Sequence, residues 1–251
     1  MELEEVILGQ LGGFILAFAR MGAVMVFLPG FGERQVPVRY RLFMALAISL
    51  ALYPATGIGE IVFGGPLDFA PIVALEITIG LWIGVSARIV MSALQFAGYQ
   101  IGYVSGLSNA LAPQTGQFEG ATMIAGVLMM AATALIFATD LHHVMIRALL
   151  QSYEIFPVGR IVPGDLAEQI VAAASASFYV GLALSAPFYV MGLVLNVGLG
   201  LANRMMPTLP VFFVAAPVLI ASGLFVLLAA APTMLNWHLQ EMADWLETFT
   251  F

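Results

Sequence analysis

The sequence predicts an all-α integral membrane protein in which about six apolar helical segments form kinked helical hairpins. Three observations predict it. Hydrophobic residues make up 61% and charged residues 9% of the 251 residues, whereas soluble chains carry roughly 25% charged residues. Several apolar stretches reach the roughly 20 residues that a helix needs to cross a bilayer core. These stretches are continuous rather than alternating in short segments, so helices, not the strands of a barrel, satisfy the backbone in lipid.

The segments fall near Val6–Leu28, Leu42–Pro54, Pro71–Gln95, Thr122–Thr139, Ala172–Leu201 and Val211–Ala231. The first follows an acidic start, "MELEEVIL", which lacks the positive region of a secretory signal, so the expectation is that it is retained. The second is short. The third continues as helix to about Gly106, longer than one crossing requires. The fifth is long and contains Pro187. Such unequal lengths imply that some helices are tilted, bent or buried in protein. The last segment runs into "LNWHLQEMADWLETFTF", where Leu235, Leu239, Met242, Leu246 and Phe249 recur at amphipathic helical spacing. Its acidic polar face suits an anionic bilayer surface poorly, so the tail is expected to pack on protein or to fray. Arg34, Arg39 and Arg41 share the first connection and Arg204 sits in the last; the positive-inside rule then places both termini outside.

Composition also removes chemistries. With no cysteine, disulfides and thiolate metal sites are excluded. All eight basic residues are arginine, so there is no phosphate-loop lysine and no Schiff-base lysine. A net charge of −7 argues against binding nucleic acid or anionic lipid.

Small residues recur at four-residue spacing: Gly80 and Gly84; Gly98, Gly102 and Gly106; Ser177, Gly181 and Ser185. Each set marks one helix face for close backbone approach, either within the chain or onto a neighbouring subunit. Four ionisable residues, Arg20, Glu76, Arg88 and Arg204, qualify as an intramembrane set of the kind an ion-coupled transporter uses. Glu76 and Arg88 lie about three and a third turns apart on one helix, so their partners must come from other helices.

No catalytic, metal or cofactor role is assigned. In "TDLHH", Asp140 and His143 share a helix face while His142 points elsewhere, and two ligands do not make a zinc site. Helix capping at the membrane edge is the plainer reading. Gly106–Ala110 loosely resembles a serine-nucleophile motif, with His142 or His143 as base, but a short motif without surrounding geometry is weak.

Four stretches, taken together, resemble one family. These are "PVRYRLFMALAISLALYP" (37–54), "EITIGLWIG" (76–84), "GYQIGYVSGLSNALAPQ" (98–114) and "LNVGLGLANRMMPTLPVF" (195–212), with Asn196, Gly200, Asn203, Arg204 and Pro207 in the last. Their order resembles the R-type subunit of the flagellar type III export gate, the FliR family, and its virulence-system counterpart SctT. The likeness runs from about residue 10 to 235. Leu141-His142 stands where the family often has Gly-His, and basic residues are sparser than usual.

The resemblance implies one copy of this chain in a multi-subunit pore complex. Its partners would be several P-type and Q-type subunits, the B-type export switch subunit and unfolded export substrates, in the bacterial inner membrane at the flagellar basal body. It also implies that residues 1–165 are similar to a P-type subunit and 166–251 to a Q-type subunit. The family's pore loop corresponds to residues 106–121. Gly106, Leu107, Ser108, Asn109, Pro113, Gln114, Thr115, Gly116, Gln117, Phe118 and Glu119 are then expected to form a plug of non-helical backbone. Gly80, Gly84, Gly98 and Gly102 are expected in helix packing. Glu76, Arg88, Asn196, Asn203, Arg204 and Pro207 are expected in intramembrane or assembly contacts, with Glu76 paired inside the complex and Asn203 and Arg204 capping helix ends. The alternatives are a stand-alone ion-coupled transporter and the equivalent subunit of a virulence-type system.

Overall fold

A computed structural model describes residues 3–33, 35–59, 66–110, 120–160, 163–206 and 211–247. These residues are helical throughout their regular structure and contain no strand. In chain order the helices are α1 (Leu3–Phe27), α2 (Val38–Leu52), α3 (Pro66–Val104), α4 (Leu107–Ala110), α5 (Gly120–Ala138), α6 (Leu141–Ile155), α7 (Pro163–Met205) and α8 (Val211–Glu247), with a 3-10 turn at Tyr53–Ala55. Five are long and apolar enough to cross a membrane. The count becomes six if α5 and α6, bent by 78° at their junction, form one broken span.

The three longest helices outrun their apolar segments. α3, α7 and α8 have 39, 43 and 37 residues, or about 55–65 Å at ~1.5 Å per residue, nearly twice a ~30 Å hydrocarbon core. Each extension has a local cause. α3 and α7 begin on Pro66 and Pro163, whose fixed φ suits the first helical position, and α3 carries Asp68 in its first turn, where the helix dipole favours an acid. α8 absorbs the acidic tail, burying Leu239, Met242 and Leu246 as the amphipathic spacing predicts; Phe249 lies outside the described residues. Prolines interrupt α3 (Pro71), α7 (Pro187) and α8 (Pro217 and Pro232), each removing one intrahelical hydrogen bond.

α6 is missing from the apolar segments of the sequence, because a search for bilayer-length runs passes over it. It is a 15-residue amphipathic helix whose Leu141, Met145, Ala148, Leu149, Ser152 and Tyr153 are buried. His143, Arg147, Gln151 and Glu154 face outward. That is the 3.6-residue stripe of a helix packed on protein.

The chain forms two compact units built from interleaved segments. The first comprises Met1–Val90, Ile136–Ala174 and Ala243–Phe251; the second comprises Met91–Leu135 and Ser175–Met242. Inside the first, α3 lies against α1 through two glycines. A Cβ on Gly80 would run into the Arg20 carbonyl and the Ala23 side chain, and one on Gly84 would sit 2.8 Å from the Val24 carbonyl oxygen. Inside the second, Gly98 of α3 abuts the Ala125 backbone of α5. Gly181 of α7 meets Ala93 and Phe96 of α3, and Ser177 and Ser92 oxygens lie 3.4 Å apart. The small-residue faces are thus used for packing within the chain. Gly102 is buried in α3 among them.

Gly98→Ala is expected to destabilise the purified chain by about 1–3 kcal/mol, because the obstruction is backbone and cannot rotate away. Gly126→Ala on α5, where a Cβ meets nothing within 4 Å, is expected to be neutral or to stabilise by about 0.5–1 kcal/mol. Thermal unfolding of both variants in the same detergent checks the contrast.

Candidate functional site

Among the described residues, polar groups gather at a buried ion pair in the first unit, at a cavity in the second, and at the α5–α6 corner. In the first unit, Arg20 of α1 and Glu76 of α3 are both fully buried. Gly80 lets the two helices approach closely enough for Arg20 Nε to donate to Glu76 Oε2 at 2.6 Å. The remaining guanidinium donors turn to the end of α6: Nη1 donates to the Ser152 carbonyl at 2.9 Å and Nη2 to the Phe156 carbonyl at 2.8 Å. The Ser152 carbonyl, which also accepts the Phe156 N–H at 2.9 Å, and the Phe156 carbonyl just past the helix lie at the negative end of the α6 dipole. Arg20 therefore serves as the cap of α6 from another helix.

Two further contacts close this centre. The guanidinium lies 4.1 Å over the Tyr153 ring, a cation–π arrangement that gains from desolvation. The Tyr153 hydroxyl donates to the Ala17 carbonyl, and the Gly159 N–H donates to Glu76 Oε1 at 3.2 Å. Nearby, the Trp82 indole N–H donates to the Leu166 carbonyl at 2.9 Å, and its ring meets Phe156 edge-on. One ion pair thus holds α1, α3, the end of α6 and the turn that follows it.

Glu76 pairs within this chain with Arg20, one of the four ionisable residues singled out in the sequence. Arg88 is half-buried on α3 and makes no side-chain hydrogen bond among the described residues. Ser152, Tyr153 and Gly159 were not anticipated. The stripe of α6 would have placed the first two on its buried face, whereas nothing local marks Gly159.

In the second unit, α3 ends where residues 106–121 begin. Ser105 N–H bonds to Ile101 O, Gly106 N–H bonds to Tyr103 O, and Gly106 takes a φ of +69°. This is a glycine helix stop, needing the left-handed conformation that glycine adopts without strain. The stretch then makes one helical turn, α4, instead of starting as non-helical backbone, because Leu107 is buried and anchors it. At its other end Gly120 and Ala121 already belong to α5. Asn109 lies in α4; Pro113, Gln114, Thr115, Gly116, Gln117, Phe118 and Glu119 lie outside the described residues.

Gly106 and Ser108 line a cavity of about 960 Å³ with Tyr103, Tyr189, Asn196 and Leu219, so it is bounded by α3, α4, α7 and α8. The Ser108 hydroxyl has no hydrogen-bond partner among the described residues, and no base is positioned on it. Tyr189 donates to the Gln100 side chain at 2.8 Å, and Asn196 bonds back to the Gly192 carbonyl at 2.8 Å. Asn203 and Arg204 are exposed in the last turn of α7 and make no side-chain cap among the described residues. The Arg204 charge still complements the helix dipole there. Pro207 lies outside the described residues.

At the α5–α6 corner the structure corrects the reading of "TDLHH". Asp140 sits at the N-cap position with φ +59° and makes no side-chain cap hydrogen bond. This left-handed residue breaks the helical register, so face-sharing rules for a continuous helix do not apply to it. His142 does not point away: one ligand atom from each of Asp140, His142 and His143 lies within 4.8 Å of the others.

Arg20→Met is expected to destabilise the chain by about 3–5 kcal/mol, because it strands the Glu76 carboxylate in the interior. The double variant Arg20→Met/Glu76→Met should lose clearly less than the sum of the two single changes, since it leaves no orphaned charge. A thermal-unfolding double-mutant cycle measures the difference; additive losses would remove the ion pair as the organising contact.

A model of the family described as bacterial export proteins, family 1, matches residues 11–245. The flagellar biosynthetic protein FliR of Caulobacter vibrioides is 39% identical over 217 residues, covering 84% of this chain and 85% of that protein. FliR of Escherichia coli is 29% identical over 216 residues, covering 85% and 82% respectively. Yop proteins translocation protein T of Yersinia pestis is 27% identical over 211 residues, covering 82% and 80%. A family match spanning nearly the whole sequence, with a 39% identical relative covered along most of its length, leads to one conclusion: the chain belongs to the bacterial export protein family 1.

Proposed function

We propose that this chain is a structural and gating subunit of the flagellar type III protein export gate, through which unfolded proteins leave the cytoplasm. The observation that carries the reading is the end-to-end likeness to flagellar FliR proteins, 39% identical over 217 residues in the Caulobacter vibrioides relative. In this reading it is a component of the bacterial inner membrane at the flagellar basal body. It would assemble with P-type and Q-type subunits and the B-type switch subunit, residues 1–165 taking a P-like place and 166–251 a Q-like place.

Residues 106–121 act in this reading as the plug. Two features support it: the stretch leaves α3 through a glycine stop, and its first residues line the large cavity of the second unit. Glycine, proline and short polar side chains suit backbone that lines a wet lumen and can move aside. The outward apolar faces of α7 and α8, among them Phe178, Val190, Val194, Phe225 and Leu228, supply area for neighbouring subunits and lipid.

The Yersinia relative favours a virulence-type subunit as the second reading, at 27% identity. A stand-alone ion-coupled transporter needs buried charges along a pathway. Arg20 and Glu76, two of its four candidates, pair with each other.

Mild solubilisation of the tagged chain from its own host is expected to recover a large complex containing P-type and Q-type export subunits by peptide sequencing. A clean monomer, with those subunits demonstrably expressed, would sink the gate reading. Deleting Ala112–Gln117 is expected to raise the ion conductance of the assembled gate in planar bilayers. Unchanged conductance in a fully assembled deletion variant counts against the plug.

A further inference from the structure

The α5–α6 corner gathers three side chains that no part of the gate reading uses. We propose that Asp140, His142 and His143 bind one divalent first-row cation of the zinc type, tying together the 78° bend between α5 and α6.

Imidazole and carboxylate donors suit zinc, at bond lengths of about 2.0–2.2 Å, which set neighbouring ligands roughly 3.4 Å apart in a tetrahedral shell. His143 Nδ1 already lies 3.6 Å from Asp140 Oδ1. The three ligand atoms all fall within 4.8 Å of one another, so small side-chain rotations close the shell. Three protein ligands leave a fourth position for water.

The second donor is held in the right form. His142 Nδ1 lies 3.4 Å from the Ile136 carbonyl oxygen. A carbonyl only accepts, so this contact selects the Nδ1-protonated ring and leaves the Nε2 lone pair for a cation. A backbone carbonyl behind a histidine is the usual support for a metal ligand. The His142 ring also lies near the rings of Phe137, at 5.3 Å, and His143, at 4.1 Å between centroids. Those neighbours limit its rotation.

Asp140 supplies the charge. Its backbone is left-handed, φ +59° and ψ +14°, a conformation that aspartate tolerates better than most residues, and its carboxylate is not engaged as a helix cap. The carboxylate, 3.6 Å from His143 Nδ1 and beside a second imidazole, completes a three-ligand donor set that a cation can join. The Asp140 and His143 side chains are 77% and 66% exposed, so a cation has an open path to them.

The test uses the full chain, purified on a tag without histidines and stripped with a chelator. Zn²⁺ calorimetry should give one ion per chain, and Co²⁺ should give a visible d–d band that Zn²⁺ abolishes. His142→Ala and His143→Ala should each weaken binding at least about tenfold, within the range for disturbed metal sites. Asp140→Gly keeps the positive φ at no strain and should likewise weaken binding while the helical circular dichroism is unchanged. Zn²⁺ should raise the unfolding temperature of the wild type but not of these variants. Absence of saturable binding, retention of it in the His142→Ala/His143→Ala double variant, or its loss in His238→Ala alone would each overturn the site.

Discussion

One buried ion pair ties α1, α3 and the end of α6 together in the first unit. Arg20 and Glu76 are fully enclosed, and an isolated charge in such surroundings is costly. The structure meets that cost with partners on every side. Glu76 takes the Arg20 Nε–H and the Gly159 N–H; Arg20 spreads its other donors over the carbonyls that end α6 and lays its plane on Tyr153. Arginine suits this task because its fork is rigid, always charged and planar. The pair does what apolar packing alone cannot: it specifies which helix end meets which pair of helices.

Close helix approach is what makes the pair possible, and glycine is what makes the approach possible. Lipid removes the hydrophobic drive between helices, so contact area and polar contacts must come from backbones packed together. Gly80 presses α3 onto the very turn of α1 that carries Arg20, and its absent side chain leaves the two charged groups within bonding distance. In the second unit Gly98 and Gly181 repeat the device without charges, and the cavity at Gly106 and Ser108 lies where the packed faces end.

Particular residues show how far the sequence could be read. The long apolar runs identified the helices, since twenty apolar residues in a row have little other use. Glu76 and Arg20 stood out as charges among hydrocarbons, but 56 residues of chain separate them and no local rule joins them. α6 escaped because amphipathic helices buried against protein look too polar for a membrane scan, and with it went Ser152 and Tyr153. His142 was misread because an ideal helix was assumed through Asp140, whose backbone leaves the right-handed region. The start of residues 106–121 was read as non-helical, and buried Leu107 instead holds a single turn.

The sequence by itself determined that this is a helical membrane protein, where its long helices lie, which faces carry small residues, and, through motif order, its family. Those properties follow from local physics, because composition, periodicity and turn chemistry act over a few residues. Only the tertiary structure decided that Arg20 answers Glu76 and caps α6, that the small-residue faces meet inside this chain, and that Asp140, His142 and His143 converge. Each of those depends on distances between segments far apart in sequence or on one residue's departure from helical φ, and neither leaves a periodic trace in the chain.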